Sequence, residues 1–227
     1  MRLTPLGDSA VVVALGSGLD ETGLRRVRAL AEALERDRPA GVVDIVPAFA
    51  SVTVFYDLAQ VGGYERLCQE IEKRVERVDT ADLRREARVM EIPVCYGGEG
   101  GPDLADVAAQ AGLSSEEVVA LHAGSDYLVQ AIGFAPGFAY LGGLPEALHM
   151  PRRASPRLSV PAGAVGIGGA QTGIYPSASP GGWQLIGRTP LSLFDVQKSP
   201  PSLLQPGDRL MVEVITFSEF IALGGVP

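Results

Sequence analysis

Apolar positions in the first part of the chain follow two periods. Ala10 to Leu15 form a continuous apolar run that reads as a buried strand. From Asp20 to Arg38, Leu24, Val27, Leu30, Ala31 and Leu34 recur at the three-and-four spacing of one helix face. Asp20 is placed to cap that helix, and Pro39 with Gly41 to stop it. The stretch VVDIVPAFASVTVFYD, Val42 to Asp57, predicts two strands around Pro47 to Ala50. Tyr64, Leu67, Cys68, Ile71, Val75 and Val78 mark a second amphipathic helix, and ARVMEIPV, Ala87 to Val94, a further strand. Strand, helix, strand, strand, helix, strand is the order of a split βαβ or ferredoxin-like unit, although order alone does not fix the pairing.

After YGGEGGPD, Tyr96 to Asp103, the texture changes, and this glycine-rich break reads as a boundary. Asp103 to Ala111 predicts a short helix ended by Gly112, and Ser114 with Glu117 forms a capping box opening another that reaches about His122. Beyond Gly124 no helical period is sustained. Short apolar pieces, YLVQAI, AVGI, WQLIG and RLMVEVI, are separated by turns such as Pro206 to Asp208, the pattern of a β-barrel or sandwich. The expected division is a small α+β domain over residues 1–84 and a mainly-β domain over 85–227.

Composition narrows the function classes. With 46% hydrophobic and 20% charged residues, and no apolar run of bilayer length, the 227-residue chain reads as globular and not membrane-spanning. Its start, MRLTPLGDSAVVVALG, has neither a basic cluster nor a small-residue cleavage site, so a cytoplasmic protein without signal peptide is expected. A net charge of −8 argues against nucleic acid, with one local exception: PRRASPR carries Arg152, Arg153 and Arg157. Cys68 and Cys95 have no partner at metal or redox spacing and read as reduced thiols.

Candidate chemistry is sparse. His122 and His149 are the only histidines; His122, just before Gly124, is expected to meet the last carbonyls of its helix, and His149 to lie in a loop. No metal-ligand spacing is present, and no bound metal is expected. GAVGIGGAQTG, Gly163 to Gly173, lacks the ending of a P-loop and fails GxGxxG because Gln171 occupies the last glycine's place. Gly168 and Gly169 let the backbone approach either a ligand or another strand. Gln171, Thr172 and Tyr175 donate and accept, and the Arg188 fork suits a carboxylate or phosphate. Arg152, Arg153 and Arg157 are either a solvated basic face or the rim of an anion pocket. Phe134, Phe138, Tyr140 and Trp183 read as core or interface.

Longer segments carry more. GFAPGFAYLGGLP, MPRRASPRLSVPAGAVGIGGAQTGIYP and SPGGWQLIGRTP resemble, nearly word for word, signature segments of the 5-oxoprolinase B-component family, also called the KipI or allophanate hydrolase subunit 1 family. LGDSAVVVALG and VDIVPAFASVTVFYD fit as well, so the resemblance covers almost the whole chain. It implies a small α+β domain followed by a cyclophilin-like barrel. It also implies two partners, a KipA-like C-type component and a third, A-type component, with ATP and Mg²⁺ serving the complex that opens 5-oxoproline to glutamate. The same folds are similar to the carboxyltransferase portion of urea carboxylases. Catalytic roles are then expected for Arg188, Gln171, Thr172, Tyr175 and His122, and substrate or anion binding for Arg157, Arg152, Arg153, Gly168 and Gly169. Two other readings share these motifs: an inhibitor of a sensor histidine kinase, and a subunit of a urea or allophanate pathway. Ala139 and Ala164 depart from the Pro and Ser common among relatives, which relaxes one turn and removes one hydroxyl.

Overall fold

Alternation along two neighbouring strands organises the first unit: Val11 and Val13 on one, Val52 and Val54 on the next, all fully buried on the same face. The structure, a computed structural model, describes residues 1–16, 21–77 and 87–226, and its chain divides into two units, Met1–Glu86 and Ala87–Pro227. The first comprises β1 (Arg2–Pro5), β2 (Ala10–Ala14), α1 (Glu21–Arg36), β3 (Val42–Pro47), β4 (Ser51–Tyr56) and α2 (Tyr64–Arg77). Its sheet runs β1-β2-β4-β3, antiparallel throughout, and Val27, Leu30 and Leu34 of α1 with Leu67 and Ile71 of α2 close the core against it.

The last strand of the expected ferredoxin-like order, which lies on the 85–227 side of the expected division, is not in this sheet. Ala87 to Val94 belongs to the barrel described below, and the sheet edge beside β2 is taken instead by β1, whose four mostly exposed residues carry little pattern. The ferredoxin-like strand set read from the sequence is therefore not the one formed. Asp20, the expected helix cap, and Val78 lie outside the described residues.

The second unit contains β5 (Val89–Tyr96), α3 (Leu104–Ala111), α4 (Ser115–Ala123), β6 (Tyr127–Ile132), β7 (Ala139–Gly142), β8 (Arg157–Val160), β9 (Ala164–Gly168), β10 (Gln171–Ile174), β11 (Ser179–Gly181), β12 (Gln184–Arg188), β13 (Arg209–Val214) and α5 (Phe217–Ala222). Seven strands close a barrel in the order β10-β7-β6-β13-β5-β12-β9, while β8 and β11 pair separately. All barrel neighbours are antiparallel except β5 and β13, which run parallel from Val89↔Arg209 to Val94↔Val214. Arg88, just before β5, reinforces that seam through Asp208 and the carbonyl of Leu203. Ile92, Val94, Tyr127, Val129, Leu141, Ile167 and Ile186 fill the core, joined by Leu104 and Val107 of α3 and Val118 of α4.

Local signals account for the helices. Gly112 ends α3 at φ 69°, a left-handed conformation that favours glycine, and the Ser114 hydroxyl accepts from the Glu117 amide at 3.1 Å while the Glu117 carboxylate accepts from the Ser114 amide at 2.7 Å. The glycine-rich stretch expected as a domain boundary lies inside this unit, joining β5 to α3. Among the described residues no helix is long and apolar enough to cross a membrane.

Candidate functional site: a histidine relay, an arginine cavity and an arginine–aromatic cluster

Val118 and His122 are four residues apart on α4, so both project from one helix face, and both are buried. The imidazole consequently points into the core instead of meeting the helix-end carbonyls expected from sequence; Gly124 and Ser125 donate to two of those, at Ala120 and Leu121. Nδ1 lies 2.6 Å from Tyr96 Oη and Nε2 lies 3.0 Å from Thr172 Oγ1. The single Thr172 hydroxyl proton is donated to the Gly166 carbonyl at 2.9 Å. Nε2 must therefore carry the imidazole proton and donate to Thr172, leaving Nδ1 to accept from Tyr96. Burial pushes the imidazole down to about 3 and the Tyr96 phenol above its ordinary value, so both are neutral near pH 7. The chain Tyr96, His122, Thr172, Gly166 is thus a directed, satisfied relay that fixes its members and has little capacity to take up a proton.

Tyr96 also lines a cavity of about 190 Å³. Arg188, at the end of β12 and opposite Cys95 in the ladder, lines it. Its Nε donates to Ala162 at 2.9 Å and its guanidinium sits 5.9 Å over the ring of Phe220. No described residue accepts from its terminal nitrogens or forms an ion pair with it. Opposite stands the loop Gly97–Gly101, sutured to β12 by bonds from Gly97 N to Ile186 O (3.0 Å) and from Asp103 N to Leu185 O (2.9 Å). A Cβ on Gly101 would lie 2.2 Å from the Ile186 carbonyl oxygen, so only glycine permits that approach.

A third cluster surrounds Asp103, which is buried just before α3. Its Oδ1 accepts from Arg153 at 3.0 Å and Arg157 at 2.7 Å, and its Oδ2 from the Leu185 amide at 2.7 Å. Arg152 stacks over Trp183 at 6.0 Å. Beside these, Phe138 meets Phe134, Tyr140, Tyr175 and Trp183 edge-on, with centroids 4.9–5.5 Å apart for all four pairs. Tyr175 is buried, which raises its phenol, while Arg152 and Arg157 draw it down. Phe134 is 63% exposed and holds φ 68°, a strained conformation for an aromatic residue.

The five residues expected to act together are therefore distributed. Thr172 joins His122; Gln171, adjacent on β10, donates to Gln130 at 3.1 Å; Arg188 lines the cavity; Tyr175 packs among aromatics. Arg153 and Arg157 are held by Asp103 and so are not a freely solvated face, while Arg153 Nε and Arg157 Nη1 are buried with no described acceptor. Gly168 admits the Trp183 ring, 2.6 Å from where a Cβ would stand, and Gly169, at φ 68°, donates its amide to Met150 at 2.7 Å, so this pair serves packing and a turn. Sequence reasoning missed Tyr96, Asp103 and the loop Gly97–Gly101. The four-residue spacing from Val118 to His122 was the available signal that His122 faces the core. Asp103 gave none, because its arginines are about fifty residues away.

Residues 1–204 match the family model of the carboxyltransferase domain, subdomain C and D. The chain is 44% identical to the 5-oxoprolinase B component of Bacillus subtilis (strain 168), over 96% of this chain and 93% of that protein. It is 50% identical to the 5-oxoprolinase B component of Escherichia coli O157:H7, over 90% and 92% respectively. Among solved structures, TTHA0988 superposes with a TM-score of 0.80 at 42% identity, over 91% of this chain, which spans 40% of that longer one. The Kluyveromyces lactis urea carboxylase, at 19% identity and a TM-score of 0.73 over 97% of this chain and 22% of its own, shares the fold. By sequence along nearly its full length and by fold, the chain belongs to the carboxyltransferase domain, subdomain C and D, family, among its 5-oxoprolinase B-component members.

Proposed function

We propose that this chain acts as the B component of a 5-oxoprolinase, working with an A-type and a C-type component to open 5-oxoproline to glutamate with hydrolysis of ATP, and inactive alone. The observation that carries this reading is 44–50% identity to proteins named as the B component of 5-oxoprolinase over at least 90% of the chain. A lactam is resonance-stabilised. ATP with Mg²⁺, bound by the complex, would supply the phosphoryl group that makes the ring carbonyl electrophilic. What this chain contributes is charge and position: Arg188 presents uncommitted guanidinium nitrogens to a small cavity, and the neutral relay holds Tyr96 rigid in its wall. Among the described residues no group of three or more His, Cys, Asp or Glu gathers to hold a metal, so the nucleotide site is proposed as composite, with metal ligands from a partner. The barrel is proposed as cyclophilin-like in kind, and the setting as cytoplasmic.

The test is ATP-dependent glutamate release from 5-oxoproline by the assembled complex, with each component omitted in turn. Turnover is expected to require this chain, and Arg188→Ala to lower kcat/KM by about 10²–10³-fold while assembly persists. A complex that assembles and never consumes 5-oxoproline would overturn the substrate. Unchanged turnover in Arg188→Ala would remove that residue from the site.

A further inference from the structure

The loop Gly97–Gly101, which joins β5 to α3, has an unusual backbone. Gly97 and Gly98 both take left-handed conformations, φ 72° and 56°, which tighten the turn. Gly97 N and Gly101 N are occupied, by Ile186 O and Gly97 O. The three amides between them, of Gly98, Glu99 and Gly100, donate to no described acceptor. Those residues line the same cavity as Arg188, whose terminal nitrogens are equally without a described acceptor, and a Cβ on Gly100 would stand 3.1 Å from Arg188 Cβ, so loop and arginine are in direct contact. Successive backbone amides in a tight turn form concavities that hold anions, and a guanidinium adds charge and a fork. The remaining wall is apolar, chiefly Phe217 and Phe220.

We propose that the Gly98–Gly100 amides and Arg188 form an oxyanion subsite for a small molecule carrying a carboxylate or phosphoryl group on a compact apolar body. A volume of about 190 Å³ is below the ~300–1,000 Å³ of drug-sized sites, which limits the ligand to a small metabolite. Naming that ligand as 5-oxoproline, bound through its carboxylate, rests on the function proposed above; the oxyanion subsite does not. Glu99 is the opposing charge. This residue also borders the cavity, forms no ion pair with Arg188, and lowers the pull on an anion.

The experiment is a titration of the full-length ¹⁵N-labelled chain with inorganic phosphate, acetate and 5-oxoproline, reading the amide shifts of Gly98, Glu99 and Gly100. Saturable shifts at these three are expected. Arg188→Met should weaken binding about tenfold or more, and Glu99→Gln should tighten it about two- to threefold. A response to phosphate alone assigns a phosphoryl group; tighter binding of 5-oxoproline than of acetate assigns the substrate carboxylate and a contribution from the two phenylalanines. Absence of saturable shifts with all three, or shifts indifferent to Arg188→Met, overturns the subsite. Its failure is separable from that of the proposed function. A complex without turnover whose loop amides still saturate loses the substrate and keeps the subsite, whereas a turning-over complex with silent amides does the reverse.

Discussion

Asp103→Ala is expected to lower Tm by roughly 6–12 °C, at about 2–4 °C per kcal/mol for a chain of this size and a cost of about 3 kcal/mol. Three donors lose their acceptor at once: Arg153, Arg157 and the Leu185 amide. The amide suffers most, because it is buried in β12 and has no route to water, whereas the two arginine side chains remain 35% and 23% exposed and recover part of their hydration. That exposure is why the lower end of the range for a broken buried pair applies. Two guanidinium groups converging on one carboxylate oxygen would also repel each other once it is gone. Asp103→Asn keeps an acceptor for Leu185 and should fall about midway. Calorimetry decides: melting of the alanine variant within about 2 °C of the parent would mean that the junction of α3, β8 and β12 is held by packing alone.

His122→Leu should cost about 2–4 kcal/mol at pH 7, because the Tyr96 hydroxyl is left buried with no partner and the Thr172 oxygen loses a donor. The same substitution should change how stability depends on pH. Above the ordinary imidazole value of 6.5, His122 is neutral folded and unfolded, and its contribution is complete. As pH falls below 6.5 the unfolded chain takes up a proton that the folded protein resists until about pH 3, so stability is lost across that interval. The slope attributable to this residue approaches about 1.4 kcal/mol per pH unit. Leucine removes it. Denaturation curves of parent and variant should therefore lie apart at pH 7 and converge toward pH 4–5. Parallel curves over that range would show that the imidazole protonates freely in the folded state and that the relay is not closed.

Much of the fold was legible because local chemistry decided it. YLVQAI is β6 and the caps of α3 and α4 stand where Gly112 and Ser114 put them, since alternation and capping depend on residues only two to four positions apart. Which strands ARVMEIPV would pair with was not legible. A strand's own pattern says that it has one buried face without saying whose, and the partners that claim β5, β12 and β13, are far down the chain. The same limit governs the candidate site. Arg188 was singled out for its chemistry and is found lining a cavity, but the loop facing it looked like punctuation between domains, because glycine serves linkers and close backbone approach alike. Tyr175, grouped with Thr172 by motif, parts from it once β10 ends after Ile174 and its ring joins the aromatic cluster.

The parallel seam between β5 and β13 also constrains how the molecule is made. Arg88 and Asp208, which flank it, are 120 residues apart, and neither strand can complete its hydrogen bonding until the other exists. During synthesis β5 emerges early and must wait for nearly the rest of the second unit. Closing so long a loop is entropically slow, and the waiting strand presents an open edge to other nascent chains. High contact order of this kind places folding in the range of milliseconds to seconds. Yield in a heterologous host should accordingly respond to growth temperature and chaperone supply more than to codon choice near the start.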